Sequence, residues 1–291
     1  MERYPPSDED SVVVFGIRIS PFALPWITLP GDQHHSTITW RSRSGPVPAQ
    51  PDEWWREEDE TLVVGWGGYA EYRVEALPRP RAEATVGSIS AADAASAFIF
   101  SVLPLALPLF GLEPFHGSAV GVEEGALLVL GAAGAGKSST AAAMEAGGFD
   151  LLADDASAID GEGQLWPGPP ALNPRWGDAQ QRVIWKYNAK DVRAPERHST
   201  APQPVVAALI LTPEQGAPVQ IRPLGGRETL VSLLANVRAP EVLATHRRPL
   251  QLRLGAVLSA RPAAAISFDP AQQPFEQIAE VAAEWVLRAS S

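Results

Sequence analysis

The sequence predicts an α/β core built around a phosphate-binding loop, preceded by a smaller β-rich N-terminal domain. Three observations predict it. Short runs of β-branched and aromatic residues, broken by Gly, Pro and Asp, fill roughly the first 90 residues. After Ala91 the composition turns Ala-rich and helix-favouring. From about Phe115 strand and helix signals alternate, and one apolar strand runs straight into Gly131-Ala-Ala-Gly134-Ala-Gly136-Lys137-Ser138. The expected domains are therefore residues 1–92, β-rich, and 93–291, the α/β core.

Within the first domain, Val12–Ile19, Thr37–Arg41, Thr61–Trp66 and Tyr69–Glu75 read as strands. Gly67-Gly68 between the last two suggests a tight hairpin. Pro46 to Pro51 reads as a loop, and Leu77 to Arg81 opens a polar connector. The most apolar run, Ala97 to Leu112, falls short of the roughly 20 residues of a membrane span. Pro104 and Pro108 interrupt it, so a buried helix is expected. In the second domain, Ala126–Leu130 is continuously apolar, as expected for a strand buried on both faces. A helix follows from Lys137 to about Ala146, with Gly147-Gly148 as its stop. Phe149–Ala153 and Val205–Leu211 read as strands, and Arg227–Asn236 and Phe275–Leu287 as amphipathic helices. Residues 160–204, rich in Pro, Trp and Gly, give no clear element.

Composition narrows the chemistry. The 291 residues are 45% hydrophobic and 20% charged, the makeup of a chain that buries a substantial core. There is no cysteine, which excludes disulfides, zinc–thiolate sites and thiol nucleophiles and fits a cytoplasmic setting. A net charge of -11 argues against a broad nucleic-acid surface. The acidic start, MERYPPSDEDS, shows no signal-peptide pattern, and no membrane association is expected. Lysine occurs only at 137, 186 and 190, so the lysine inside the glycine-rich loop is an unusual placement.

That loop matches G-x-x-x-x-G-K-[ST] in full. Its glycines let successive backbone N–H groups turn inward toward phosphate oxygens, and the next helix adds its positive end. Residues Gly131, Ala132, Ala133, Gly134, Ala135, Gly136, Lys137, Ser138 and Ser139 form the expected nucleotide site. Lys137 would reach the β- and γ-phosphates, and Ser138 would ligate Mg²⁺. The second signal is Asp154-Asp155, seventeen and eighteen residues beyond Lys137. A right-handed strand–helix–strand unit returns the next strand parallel to the first. Its carboxyl end then shares the loop's edge of the sheet, where α/β proteins bind ligands. Two carboxylates there divide two jobs, holding Mg²⁺ and accepting the proton of an attacking hydroxyl. A solvated turn is the competing reading of the pair. The third signal is His116, fifteen residues before Gly131. A hairpin of Phe115–Val122 and Ala126–Leu130 brings it near the loop, but spacing leaves a structural and an active-site histidine both open.

Together, His116-Gly, Gly-x-x-Gly-x-Gly-Lys-Ser and Leu-Ala-Asp-Asp at this spacing resemble the catalytic domain of the HPr kinase/phosphorylase family. That family phosphorylates a serine hydroxyl of a protein and shares its nucleotide fold with phosphoenolpyruvate carboxykinase. The specific resemblance covers Phe115 to Asp160. More loosely, Phe98–Leu112 resembles the apolar helix before the histidine strand, and Val12–Ile19 with Leu24-Pro25 resembles the start of smaller HPr-kinase-like proteins. The resemblance implies an α/β P-loop kinase core of the HPr kinase/carboxykinase type that uses ATP and Mg²⁺. It implies Asp155 as general base, Asp154 and Ser138 beside the metal, and Lys137 and His116 as active-site residues. The partner it implies is a protein or peptide carrying an acceptor serine, and the family's habit of assembling points to a homo-oligomer. Arg222 and Arg227 fall roughly where the family has a basic loop; solvated surface arginines fit the residues as well. The family's Glu-x-Arg-Gly-Leu-Gly segment is missing, and Trp166-Pro-Gly-Pro-Pro and Arg175-Trp stand in that region. No HPr phosphorylase activity is therefore expected. A small-molecule kinase on the same core and a nucleotide-binding regulator with little catalysis are the competing functions. No Leu-Ser-Gly-Gly signature of transport ATPases is present.

Overall fold

The computed structural model describes residues 11–22, 36–49, 53–58, 60–172, 183–187 and 190–289. The acidic start of the chain, Leu24-Pro25 and Arg175-Trp lie outside them. Contacts divide this mixed α/β protein into two compact units, Met1–Leu112 with Ala239–Arg248, and Glu113–Arg238 with Pro249–Ser291.

The first unit holds a seven-stranded sheet. Its strands are β1 (Val12–Val14), β2 (Ile17–Ser20), β3 (Ser36–Ser44), β4 (Glu53–Glu58), β5 (Thr61–Trp66), β6 (Ala70–Glu75) and β7 (Arg81–Val86), in the order β1-β2-β3-β7-β6-β5-β4. Val12–Ile19, which reads as one strand, is two. Phe15 and Gly16 take φ of 54° and 68°, and this two-residue left-handed turn folds β2 back against β1. Two further strands carry no clear pattern in the sequence. In β7 the inward residues are Ala82, Ala84 and Val86, and alanine is a weak strand former. In β4 no residue is fully buried, so no apolar alternation marks it.

The apolar run forms a helix, Ala91–Phe110, in four pieces. These are α1 (Ala91–Ala97), a π turn (Phe98–Val102), α2 (Leu103–Ala106) and a 3₁₀ turn (Leu107–Phe110). Ser90 caps its start, the Asp93 N–H donating to Ser90 Oγ at 3.0 Å, and Gly111 at φ 74° ends it. By length and composition alone this helix would cross a membrane, but 67% of its most apolar window is buried inside the protein. Phe98 sits among Trp40, Phe22 and Tyr72, and the Tyr72 hydroxyl donates to Ala94 O at 2.9 Å.

The second unit is built on one sheet with helices on both faces. Its strands are β8 (Leu112–Phe115), β9 (Ser118–Val122), β10 (Gly125–Gly131), β11 (Leu151–Ala153), β12 (Ser157–Asp160), β13 (Gln164–Trp166), β16 (Gln203–Pro213), β17 (Gln220–Pro223) and β18 (Ala263–Phe268). A separate hairpin pairs β14 (Val183–Tyr187) with β15 (Lys190–Arg193). The helices are α3 (Lys137–Ala146), α4 (Gly226–Ala235), α5 (Ala244–Leu258), which belongs to this unit from Pro249 onward, and α6 (Phe275–Ala289). Strands β10, β16 and β18 run parallel, with Gly131 opposite Leu211 and Leu211 opposite Ile266, so their carboxyl ends align. On the other side of β10 lies the antiparallel β9, and beyond it β11. Alternation along β10 fills two cores. Leu127 and Val129 join Ala141 and Met144 of α3 and Ile278 and Val286 of α6. Ala126, Leu128 and Leu130 join Leu233, Leu254 and Leu258 on the opposite face. A strand buried on both faces needs apolar residues at every position, which is why ALLVL is unbroken.

Helix α5 and strand β18 carry no clear sequence signal. Pro249 sits inside α5, and Ala263-Ala-Ala begins β18 with residues that favour helix.

Leu209 is fully buried in the central strand β16. Leu209→Ala is expected to destabilise the protein by about 2–5 kcal/mol, read as a lower urea midpoint with unchanged slope. His198 pairs with Leu151 in an isolated parallel bridge, and burial lowers its pKa from 6.5 to about 4. The unfolded chain therefore binds this proton first. The stability it contributes is complete above about pH 6.5 and is lost as pH falls toward 4, on the order of 3 kcal/mol in full. Urea midpoints measured from pH 7 to 4 should fall less steeply in His198→Asn.

Candidate functional site

The loop between β10 and α3 turns at the carboxyl edge of the parallel strands. Gly131 takes φ 149°, and a side chain there would lie 2.8 Å from Leu211 O and 3.1 Å from Ala135 Cβ. Gly136 takes φ 96°, and a Cβ there would enter the Phe275 ring. Both glycines are required by backbone angle and by neighbours. Ala132, Ala133 and Gly134 at the tip are exposed, whereas Ala135, Lys137 and Ser139 are buried and Ser138 is half-buried. Lys137 Nζ donates to the carbonyls of Gly131 at 2.9 Å and Ala132 at 3.1 Å, so the ammonium lies across the loop it follows.

Asp154 and Asp155 follow β11. That strand is parallel to β10, as the strand–helix–strand reading requires, but is not its neighbour. Strand β9, turned back on β10 as a hairpin, occupies the intervening place. This interposition brings His116 and Ser118 into the site. Ser118 opens β9, is fully buried, and donates its hydroxyl proton to Asp154 Oδ1 at 2.6 Å. Asp154 is itself buried.

Asp155 has a left-handed backbone, φ 65°, and a half-exposed side chain. Its carbonyl oxygen accepts Arg238 Nη1 at 3.0 Å and lies 3.2 Å from His116 Nδ1. Arg238 Nη1 also meets Asp155 Oδ2 at 2.9 Å, while Oδ1 is 3.7 Å from His116 Nδ1. Burial lowers the His116 pKa first and the Lys137 charge second; Asp155 raises it, and Arg238 lowers it again. The ring is therefore neutral near pH 7. A proton on Nδ1 donates to Asp155 O and leaves Nε2 as the acceptor.

One short segment ties these parts together. Asn236, the C-cap of α4, accepts the Gly131 N–H on Oδ1 at 3.0 Å and the His116 N–H on its carbonyl at 2.8 Å. The Arg238 N–H donates to Pro114 O at 2.8 Å, and Val237 bridges Phe115. The start of the loop, the histidine corner and the arginine thus share one backbone anchor.

The structure therefore gathers His116, Lys137, Asp154 and Asp155 at one edge of the sheet. Arg222 and Arg227 are exposed, and Arg222 pairs with Glu228 at 3.1 Å. Ser118, Asn236, Arg238 and Phe275 were not singled out by the sequence. Asn236 lies 105 residues from its partner Gly131 and Arg238 lies 83 from Asp155, separations at which no spacing rule operates. Ser118 stands next to the His-Gly pair, and a polar residue at the start of an otherwise apolar strand was its signal. The oxygen donors Ser138 and Asp154 are of the type Mg²⁺ takes, and the loop's positive-φ glycines suit a phosphate cradle. Among the described residues no group of three or more His, Asp or Glu side chains forms a metal cage of its own.

No protein-family model matches the chain, and no curated protein does. Among solved structures it is similar to the HPr(Ser) kinase/phosphatase from Coxiella burnetii, at 12% identity and a TM-score of 0.34. The match covers 62% of this chain and 99% of that one.

The geometry predicts the titration of His116. By NMR its imidazole should titrate below 6.5. Asp155→Asn should lower that pKa further. Lys137→Ala should raise it, though not fully to 6.5, because burial is the leading cause. A shift of the opposite sign in either variant contradicts the arrangement.

Proposed function

We propose that this chain is an ATP-dependent kinase that transfers the γ-phosphoryl group to a hydroxyl, a serine of a protein or peptide being the acceptor that the motif resemblance favours. The observation that carries the proposal is the convergence of Lys137, Asp154, Asp155, His116 and Arg238 on one edge of the sheet, beside a loop shaped for phosphates. In this reading residues 131–139 form the P-loop of an HPr-kinase-like core. Its backbone N–H groups and Lys137 bind the β- and γ-phosphates, exchanging the ammonium's bonds to Gly131 O and Ala132 O for bonds to phosphate. Mg²⁺ held by Ser138, Asp154 and the phosphates would neutralise charge on the transferring group.

Asp155 accepts the proton of the attacking hydroxyl. The alcohol oxygen forms a bond to the γ-phosphorus as the bond from that phosphorus to the β–γ bridging oxygen breaks, and the electron pair leaves with ADP. Arg238 meets Asp155 Oδ2 at 2.9 Å and His116 Nδ1 lies 3.7 Å from Oδ1, so both neighbours orient the carboxylate that takes the proton. Arg238 also adds positive charge where the phosphoryl group passes. Ser118 keeps the buried Asp154 carboxylate in a fixed orientation. Without the Glu-x-Arg-Gly-Leu-Gly segment, the reverse phosphorylase reaction is not part of the proposal.

Lys137→Ala is expected to abolish turnover. Asp155→Asn should cut the transfer rate by about 10² or more while ATP affinity, measured by calorimetry, stays close to wild type. Labelled ATP offered with peptide and metabolite panels identifies the acceptor class. Wild-type turnover in Asp155→Asn would remove Asp155 from its role. Label appearing only on a metabolite would make this a small-molecule kinase, and tight ATP binding without turnover would make it a regulator.

A further inference from the structure

On the far side of β10 from the aspartates, the carboxyl edge of the sheet is a built shelf. Asp269, 3% exposed at the end of β18, stitches two loops together. Its Oδ2 accepts the Gly216 N–H and the Gln272 side-chain amide, each at 2.8 Å, and its Oδ1 accepts the Ala271 N–H at 2.9 Å. Its own N–H donates to Gln273 Oε1 at 2.7 Å, and the Glu214 N–H donates to Phe268 O at 2.8 Å. The loops after β16 and β18 are thereby held as one surface beside the glycine-rich loop. Because these bonds are internal, the surface needs little rearrangement to receive a ligand.

Phe275 opens α6 where this shelf ends. Its ring edge faces the glycine loop, since a Cβ on Gly136 would meet Phe275 Cζ at 2.7 Å. The ring also packs edge-on against Phe268, centroids 6.1 Å apart. Phe268 is fully buried, whereas Phe275 is only half-buried and keeps part of its surface outward. The groups placed to act on a terminal phosphate, Asp155, His116 and Arg238, stand on the β9 and β11 side of β10. The shelf and Phe275 lie on the other side, over β16 and β18, where the nucleoside end of a nucleotide so placed would extend.

We infer that Phe275 is the nucleoside contact of this site, its ring packing against the flat apolar face of the base while the shelf held by Asp269 limits where the base can go. The inference rests on the kinase reading of the glycine-rich loop. Base–aromatic packing is tolerant of base identity, so the contact adds affinity for nucleotides over bare polyphosphate more than it separates one base from another.

Calorimetric titration of ATP and of inorganic tripolyphosphate, each with Mg²⁺, into wild type, Phe275→Ala, Phe275→Leu and Phe275→Trp separates the roles. Phe275→Ala should lose about tenfold in ATP affinity while tripolyphosphate binds as to wild type. Phe275→Leu keeps apolar bulk beneath the loop and should show the same selective loss, and Phe275→Trp should retain ATP affinity. If Phe275→Ala fails to fold, Phe275→Leu carries the test. Equal losses for both ligands in Phe275→Leu mean that the ring only buttresses the loop and overturn the inference, as does unchanged ATP affinity in Phe275→Ala. A wild-type protein that binds neither ligand overturns the phosphate-loop reading instead.

Discussion

The site depends on the left-handed backbone of Asp155, a conformation uncommon outside glycine, although Asp tolerates it better than most residues. A non-glycine residue at φ 65° carries strain of about 1–3 kcal/mol, kept only where the surroundings enforce it. Here the enforcement is visible. Arg238 and His116 face the same carbonyl oxygen, and Arg238 grips the carboxylate as well. The turn that results sends the buried Asp154 inward to Ser118 and the half-exposed Asp155 outward. One strained residue thus gives two adjacent carboxylates different environments, which is the condition for them to do different work.

That clamp is assembled from distant parts of the chain by the sheet. Strand β9 lies between β10 and β11, so the serine that opens it and the histidine two residues earlier reach the carboxyl edge alongside the glycine-rich loop. Asn236 then ties Gly131 to His116, and the residue two places on is the clamping arginine. The loop's phosphate-facing geometry and the aspartates' geometry are consequently not independent. A shift of the segment from Asn236 to Arg238 would disturb the start of the loop, the histidine and Asp155 together.

What the sequence made legible was local. The glycine-rich loop and α3 declared themselves because a glycine at positive φ, an N-terminal lysine and a Gly-Gly stop all act within a few residues. The strand ALLVL was legible because burial on both faces leaves an unbroken apolar run. Other elements were silent for equally physical reasons. In β7 two of the three inward residues are alanine, β18 opens with three alanines, and α5 contains a proline. The split of Val12–Ile19 turned on Phe15 taking a left-handed angle more often left to Gly or Asn. In the site, the two aspartates were found by spacing within one supersecondary unit, whereas spacing left His116 open and only the motif resemblance pointed to it. Asn236, Arg238 and Phe275 come from beyond that unit, and only the tertiary fold makes them neighbours.

The most direct test of the central claim is a crystal structure of the protein with a non-hydrolysable ATP analogue and Mg²⁺. The β- and γ-phosphates should be cradled by residues 131–138, with the γ-phosphate turned toward the Asp155 carboxylate and the cation touching Ser138. An analogue bound elsewhere, or one in the loop whose γ-phosphate points away from Asp155, would contradict this claim.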